Sequence, residues 1–261
     1  MERRREPDAL SRSAAATLWC RAVEQRRSPR LLDDPTAADW FDRLSLNTGR
    51  APVGRATQVA VCARARQIDL WIAHWQNTVA NPVVVELGIG LSSRAQRLGL
   101  DPGQVIGVDR VDVIAIREPL DPGGALISLD VRDPSLPSRL AEAIGGRSPG
   151  FIAEGLLMHL PARDVQSLLG RLAQQFADAP LFFDAYARWA PALKRLHDGM
   201  GRLNLPLRST LPRGPWLTML EKVAVTDSPA AARRLPRRYR LPGLDRVYAL
   251  HHAKLVGRNA L

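Results

Sequence analysis

Through residues 1–80 the apolar positions recur at helical spacing, and no stretch alternates as a half-buried strand does. A helix is predicted over Thr17–Glu24, with Thr17 near its start. Asp34-Pro35 opens a second, Asp34 as N-cap and Pro35 at the first helical position. A third runs from roughly Ala56 to Val79, where Val61, Ala65, Ile68, Ile72 and Trp75 fall three or four residues apart and Asn81-Pro82 brings it to a stop. From Pro82 the pattern changes to short buried runs: Val83–Leu87, Gln104–Asp109, Ala125–Asp130, Phe151–Glu154 and Leu181–Asp184. Helix-compatible segments such as Val111–Arg117 and Asp164–Phe176 separate them. Strands that read as continuous apolar runs, alternating with helices, predict an α/β fold with a mostly parallel sheet covered on both faces. Beyond residue 190 the pattern weakens. Leu220–Thr226 and Val247–Val256 are expected as closing strands, with the Pro/Arg-rich stretch between them a surface connection.

Composition narrows the class without changing this picture. The 261 residues are 46% hydrophobic and 24% charged, ordinary globular usage that excludes collagen-like, coiled-coil and wholly disordered chains. Cys20 and Cys62 with no Cys-x-x-Cys exclude a disulfide framework, a zinc finger and a thioredoxin-like site. Met1-Glu2-Arg3-Arg4-Arg5 has no apolar stretch behind it, so no secretory signal is read. No apolar run reaches the roughly 18 residues of a membrane span, and the expectation is a soluble cytoplasmic protein. The net charge is +11, and of the 37 basic residues only Lys194, Lys222 and Lys254 are lysines. Arginines cluster in Arg3-Arg4-Arg5, Arg26-Arg27, Arg233-Arg234 and Arg237-Arg238…Arg240. Such patches attract anionic surfaces. Without interleaved aromatic residues or an RNA-binding signature, solvated surface charge is expected rather than a nucleic-acid partner.

The strand ends carry the candidate chemistry, because ligands of open α/β sheets sit at the carboxyl ends of the strands near the point where strand order reverses. Glu86-Leu87-Gly88-Ile89-Gly90 forms a tight turn after the first strand, where glycines let backbone approach a ligand. Asp109 closes the second strand, where an acid accepts hydrogen bonds from ribose hydroxyls. This pair fits a dinucleotide or S-adenosylmethionine. The third glycine of a Gly-x-Gly-x-x-Gly turn would fall at position 93, which is Ser93, and this counts against a pyrophosphate cradle. S-adenosylmethionine needs no phosphate site. Asp109, Asp130 and Glu154 offer acceptors for ribose, adenine and the amino-acid end, and a bidentate arginine suits the α-carboxylate.

Four segments in register extend this reading to a family. They are Thr17-Leu18…Arg21-Ala22…Glu24 with Asp34-Pro35; Arg64-Ala65-Arg66-Gln67-Ile68-Asp69; Val84–Gly90 continued by Leu91-Ser92-Ser93-Arg94…Arg97-Leu98; and Glu154-Gly155-Leu156-Leu157-Met158-His159-Leu160-Pro161. The chain resembles the leucine carboxyl methyltransferase family, in particular its bacterial branch of tetracenomycin-type polyketide O-methyltransferases. It departs from the family pattern at Ser92-Ser93, where Asp-Thr is usual, and at Gln96 and His159, where tyrosine is usual. The resemblance implies a class I methyltransferase (Rossmann-like), doubly wound, with a mostly parallel seven-stranded sheet. Residues 1–80 would be a helical cap or lid and residues 81–261 the cofactor-binding core. It further implies that Arg64 binds the methionine carboxylate, with Arg21 as a second candidate, and that Gly88 and Gly90 present backbone to the cofactor. Asp109 would hold the ribose, Asp130 the adenine side and Glu154 the methionine end.

The acceptor is then expected to be a small molecule. A carboxylate, with a pKa near ~4, needs no base, whereas a phenol near ~10 does. His159 is the candidate catalytic residue for the second case. His251 and His252 are adjacent on one expected strand and point to opposite faces, so no metal site is expected. Two alternatives stand beside this reading: a nucleic-acid-directed methyltransferase using the basic surface, and a catalytically inactive binding protein.

Overall fold

The computed structural model describes residues 9–46, 51–190, 207–237 and 247–257. Of the arginine clusters, Arg3-Arg4-Arg5, Arg238 and Arg240 lie outside the described residues. Three helices lead the chain: α1 (Ala9–Gln25), α2 (Pro35–Arg43) and α3 (Arg55–Gln76). Helix α1 begins eight residues earlier than the predicted Thr17, whose hydroxyl donates to Ala14 O inside the helix instead of capping it. Helix α2 starts as expected: the Asp34 carboxylate accepts from Ala37 N at 2.9 Å, and Pro35 follows it. Helix α3 stops at Gln76, short of Val79, and the chain turns at Asn81 with φ +47°, a conformation asparagine tolerates better than most residues.

Then follow β1 (Pro82–Leu87), α4 (Arg94–Leu98), β2 (Val105–Asp109), α5 (Val111–Arg117), β3 (Ala125–Ser128), α6 (Leu136–Ile144), β4 (Ser148–Ala153), α7 (Ala162–Gln175) and β5 (Pro180–Tyr186). The chain closes with β6 (Leu217–Ala224), α8 (Pro229–Arg234) and β7 (Tyr248–Leu255). The stretch expected as a plain surface connection thus holds a helix, which Ser228 caps by accepting from Ala231 N. The seven strands lie in the order β3-β2-β1-β4-β5-β7-β6. Strands β1 to β5 pair in parallel, whereas β7 runs antiparallel to both β5 and β6. Strands β1 and β5 are buried except at their ends, and β4 is buried from Gly150 onward, as central strands covered on both faces require. The two edges, β3 and β6, are largely open to solvent.

Two apolar layers sandwich the sheet. On one face α3 lays Ile68, Trp71 and Ile72 against Val84, Ile152 and Phe182. On the other, Leu136 and Leu140 of α6 and Leu168, Leu169 and Leu172 of α7 meet Val83, Val85 and Phe151. Alternate residues of β1 therefore serve opposite cores. The Trp75 ring passes so close to β4 that a Cβ on Gly150 would meet it at 2.7 Å. His251 stacks on Phe183 and His252 on Phe182, which belong to opposite layers. Strand order reverses between β1 and its neighbours β2 and β4, and the carboxyl ends of these strands open onto one crevice.

Candidate active site

A cavity of about 560 Å³ occupies that crevice. Arg64, Gly88, Gly90, Asp109, Asp130, Glu154 and His159 all line it, so the fold brings together every residue singled out from the sequence; Arg21 lines it as well.

The turn after β1 takes the shape its glycines permit. Gly88 and Gly90 have φ of +66° and +51°, and a Cβ on Gly88 would lie 2.9 Å from Leu156. Asp109, at the end of β2, fixes this turn by accepting from Gly90 N at 2.8 Å through one oxygen and from Arg110 N at 2.8 Å through the other. Burial raises the pKa of the Asp109 carboxyl against the pull of those two bonds. Each oxygen keeps a further lone pair for a ligand hydroxyl. Arg117, from the end of α5, donates to Gly90 O and Ser92 O from behind, with its guanidinium stacked on Trp40 of α2.

Ser93 has no room for a phosphate. It is fully buried, and its hydroxyl sits 2.7 Å from both oxygens of Asp34. This spends the position where a third glycine would otherwise expose backbone N–H groups to a pyrophosphate. The residues present suit S-adenosylmethionine: a half-buried strand-end acceptor, a positive-φ turn without a phosphate cradle, and an arginine at the far end.

That arginine is Arg64, on α3. Its Nε donates to Glu154 at 2.8 Å, and its Nη1 donates to Asp184 at 3.0 Å and to the Tyr248 hydroxyl at 3.1 Å. Among the described residues Nη2 has no hydrogen-bond partner, and it lies 3.2 Å from where a Cβ of Gly155 would be. Gly155, at φ +65°, is thus required both by its backbone and by the guanidinium. Asp184 at β5 accepts from Gly155 N at 2.6 Å and from Tyr248 at 2.6 Å, which holds Arg64 from below. Burial drives the Tyr248 pKa well above its ordinary value, so the phenol stays neutral.

Glu154 is gripped from two sides, by Arg64 and by Arg94, whose Nη2 is 2.5 Å away. Burial alone would raise its pKa, yet the two guanidiniums hold the carboxyl well below the usual carboxylate range. Arg94 is fully buried and also donates to Asp69 at 2.7 Å and Glu86 at 2.5 Å. Arg97 continues the chain of charges to Asp69 and Asp34, and Arg21 reaches Asp34 at 3.0 Å. One connected network therefore runs from the start of α2 to the end of β5.

Asp130 stands apart. It lies two residues beyond the end of β3, at the cavity rim, and Arg132 takes both its oxygens. The hydrogen bonds from Arg132 lower its pKa. His159 ends a single helical turn over Leu157–His159 beyond β4. Arg94, Asp69, Asp184 and Tyr248 were missed as site residues. The first two stood in the matched segments, and Asp184 closes a predicted strand, so each carried a signal. Tyr248 carried none, because only the antiparallel pairing of β7 with β5 brings it to Asp184.

Comparison with known proteins agrees with this geometry. The family model for leucine carboxyl methyltransferase matches residues 14–173, more than half the chain. The tetracenomycin polyketide synthesis O-methyltransferase TcmP of Streptomyces glaucescens is 29% identical over 232 residues, 85% of this chain and 85% of that protein. A crystal structure from Thermobifida fusca superposes with a TM-score of 0.55 at 15% identity, covering 95% of this chain and 94% of that one. A SAM-dependent methyltransferase from Anabaena variabilis gives 0.53 at 14% identity, covering 92% and 95%. The two superpositions establish the fold. With the family model spanning the helices, the turn after β1 and the Glu154 segment, the chain belongs to the leucine carboxyl methyltransferase family and is an S-adenosylmethionine-dependent methyltransferase.

Proposed function

We propose that this enzyme methylates an oxygen of a small molecule, a carboxylate or hydroxyl on a polyketide-like or other secondary-metabolite acceptor. The observation that carries the reading is the convergence of Asp109, Glu154, Arg64 and the Gly88–Gly90 turn on one cavity at the strand-order reversal. The name of the Streptomyces relative, an O-methyltransferase of polyketide synthesis, supports an acceptor of that kind.

The cofactor supplies a methyl group already activated on a sulfonium, so the protein's task is to bind, orient and exclude water. In this reading Arg64 offers its remaining nitrogen, Nη2, to the methionine carboxylate as a single charge-assisted donor, since Nε and Nη1 are held by Glu154, Asp184 and Tyr248. Glu154, kept ionised by its two guanidiniums, faces the ammonium end together with the backbone of Gly88. Asp109 receives the ribose hydroxyls through its remaining lone pairs. Asp130 serves the adenine side from the rim. The acceptor occupies the end of the cavity beyond Glu154, where Leu156, Met158, Leu160 and Pro161 give an apolar wall and His159 and Tyr186 give polar groups. A carboxylate acceptor needs no base there; a phenol would give up its proton to His159. Residues 1–80 act as the cap, with α3 also packed into the core against the sheet.

The test is transfer of label from methyl-tritiated S-adenosylmethionine to panels of aromatic carboxylic acids and phenols. Base-labile methyl esters or base-stable methyl ethers support the proposal and separate its two branches. Label found only in RNA, DNA or protein refutes it.

A further inference from the structure

Six described arginines line the cavity: Arg21, Arg64, Arg97, Arg110, Arg132 and Arg208. Five are matched by acids of the protein itself. Arg21 pairs with Asp34, Arg64 with Glu154 and Asp184, Arg97 with Asp69 and Asp34, Arg110 with Asp112, and Arg132 with Asp130. Arg208 differs. Its side chain is exposed, and among the described residues no carboxylate or carbonyl meets its guanidinium.

Its backbone, by contrast, is held firmly at the acceptor end. Arg208 N donates to Met158 O at 2.8 Å, and the next residue donates to the same carbonyl at 3.3 Å. The buried Ser209 hydroxyl donates to Leu157 O at 2.5 Å, and Leu211 N donates to Tyr186 O at 2.8 Å. Residues 208–211 are thus pinned to the turn that carries His159 and to the end of β5. The pinning holds beside the apolar wall of the cavity a cation that has no counter-charge among the described residues.

An unmatched guanidinium at that place selects an anion, and the reaction says which one. The oxygen that accepts a methyl group loses its negative charge as the O–C bond forms. A cation bound to that oxygen would stabilise the ground state more than the transition state and slow transfer. A cation bound to a different anionic group, one unchanged through the reaction, orients the acceptor at no such cost. We infer that Arg208 is a specificity-determining residue that binds a second anionic group on the acceptor, so that the preferred acceptor is an apolar ring system bearing an acid in addition to the oxygen that is methylated. This rests on the small-molecule methyltransferase reading proposed above.

The experiment titrates the enzyme, saturated with S-adenosylhomocysteine, with naphthalene-2,6-dicarboxylate, 2-naphthoate and 2-naphthamide. Wild type, Arg208→Gln and Arg208→Lys are compared by calorimetry. The dianion is expected to bind wild type at least ~10-fold more tightly than the monoanion. Arg208→Gln should remove that difference, Arg208→Lys should restore part of it, and all three proteins should bind S-adenosylhomocysteine equally. Equal binding of the dianion to wild type and Arg208→Gln, or no binding of any naphthalene probe to wild type, overturns the inference and leaves the cofactor reading intact. Failure of S-adenosylhomocysteine itself to bind would instead remove the reading on which it rests.

Discussion

Arg94 gives the sharpest test of the buried network. Arg94→Met keeps much of the side-chain volume and removes a fully buried guanidinium that touches Asp69, Glu86 and Glu154 at 2.7, 2.5 and 2.5 Å. Two of those acids keep other partners: Asp69 keeps Arg97 at 2.7 Å, and Glu154 keeps Arg64 at 2.8 Å. Glu86 does not. It is 4% exposed, and among the described residues only the Ser92 hydroxyl, at 3.3 Å, would remain to it. Breaking a buried ion pair from one side costs ~3–5 kcal/mol, and with one acid orphaned rather than three the lower end applies. At ~2–4 °C per kcal/mol for a chain of this size, about 3 kcal/mol lowers Tm by roughly 6–12 °C. Neutralising the orphan should return part of the loss, so Arg94→Met with Glu86→Gln is expected to be more stable than Arg94→Met alone. Urea unfolding of wild type, both single variants and the double variant measures this, with an expected coupling of ~1.5 kcal/mol or more. A loss under ~1 kcal/mol for Arg94→Met, or strictly additive variants, would refute the assignment of Glu86 and Arg94 as one buried unit.

Asp109→Ala removes the acceptor expected for ribose and also frees the turn at Gly90; S-adenosylhomocysteine affinity should fall by ~2–3 kcal/mol, read by calorimetry, and unchanged affinity would exclude Asp109 from the cofactor site. Gly155→Ala forces a Cβ toward Arg64 in a left-handed conformation, so ~1–3 kcal/mol of stability should be lost together with cofactor affinity; a variant that binds normally would show that Arg64 is not held in register by this turn. His251 is held neutral down to about pH 4, by burial first and by Lys222 second. Between its ordinary value of 6.5 and about 4 the unfolded chain binds the proton and the folded one does not, so stability falls as pH drops through that window. The fall is at most ~1.4 kcal/mol per pH unit, and His251→Phe should flatten the urea midpoint over that range. Glu154 adds to acid sensitivity lower down. Its folded pKa lies below the ordinary 4.5, so its contribution is complete above that value and is lost as pH falls further, and Glu154→Gln should remove that part of the acid limb.

The strand ends were legible because burial and chemistry coincide there. An apolar run that stops on an acid or a glycine marks both a central strand and the mouth of the crevice, and Glu86, Gly88, Asp109 and Glu154 all lie where such runs end. The edges read less well. Strand β3 stops at Ser128 rather than Asp130, since four pairs to β2 complete it and an edge strand has no second neighbour to extend it. Helices α4 and α6 are short, five and nine residues, and give little period to detect. Thr17 looked like a helix start because threonine favours caps, but Ala14, Ala15 and Ala16 before it are strong helix formers and carry the helix back. The site's ionic wiring was the least legible part. Arg94 alone of its group meets Glu154, and Asp69 joins Arg94 and Arg97 only because α3 packs beside α4. Asp130 reads in part: it lines the cavity as its place in the sequence suggests, while its ion pair with Arg132 carries no sequence signal.

The most direct measurement is a calorimetric titration with S-adenosylhomocysteine, with NADH as the comparison ligand. Saturable one-site binding of S-adenosylhomocysteine, lost or weakened at least ~10-fold in Arg64→Gln, and no binding of NADH is the predicted result. Binding of NADH, or S-adenosylhomocysteine binding that ignores Arg64, would contradict the placement of the cofactor in this cavity.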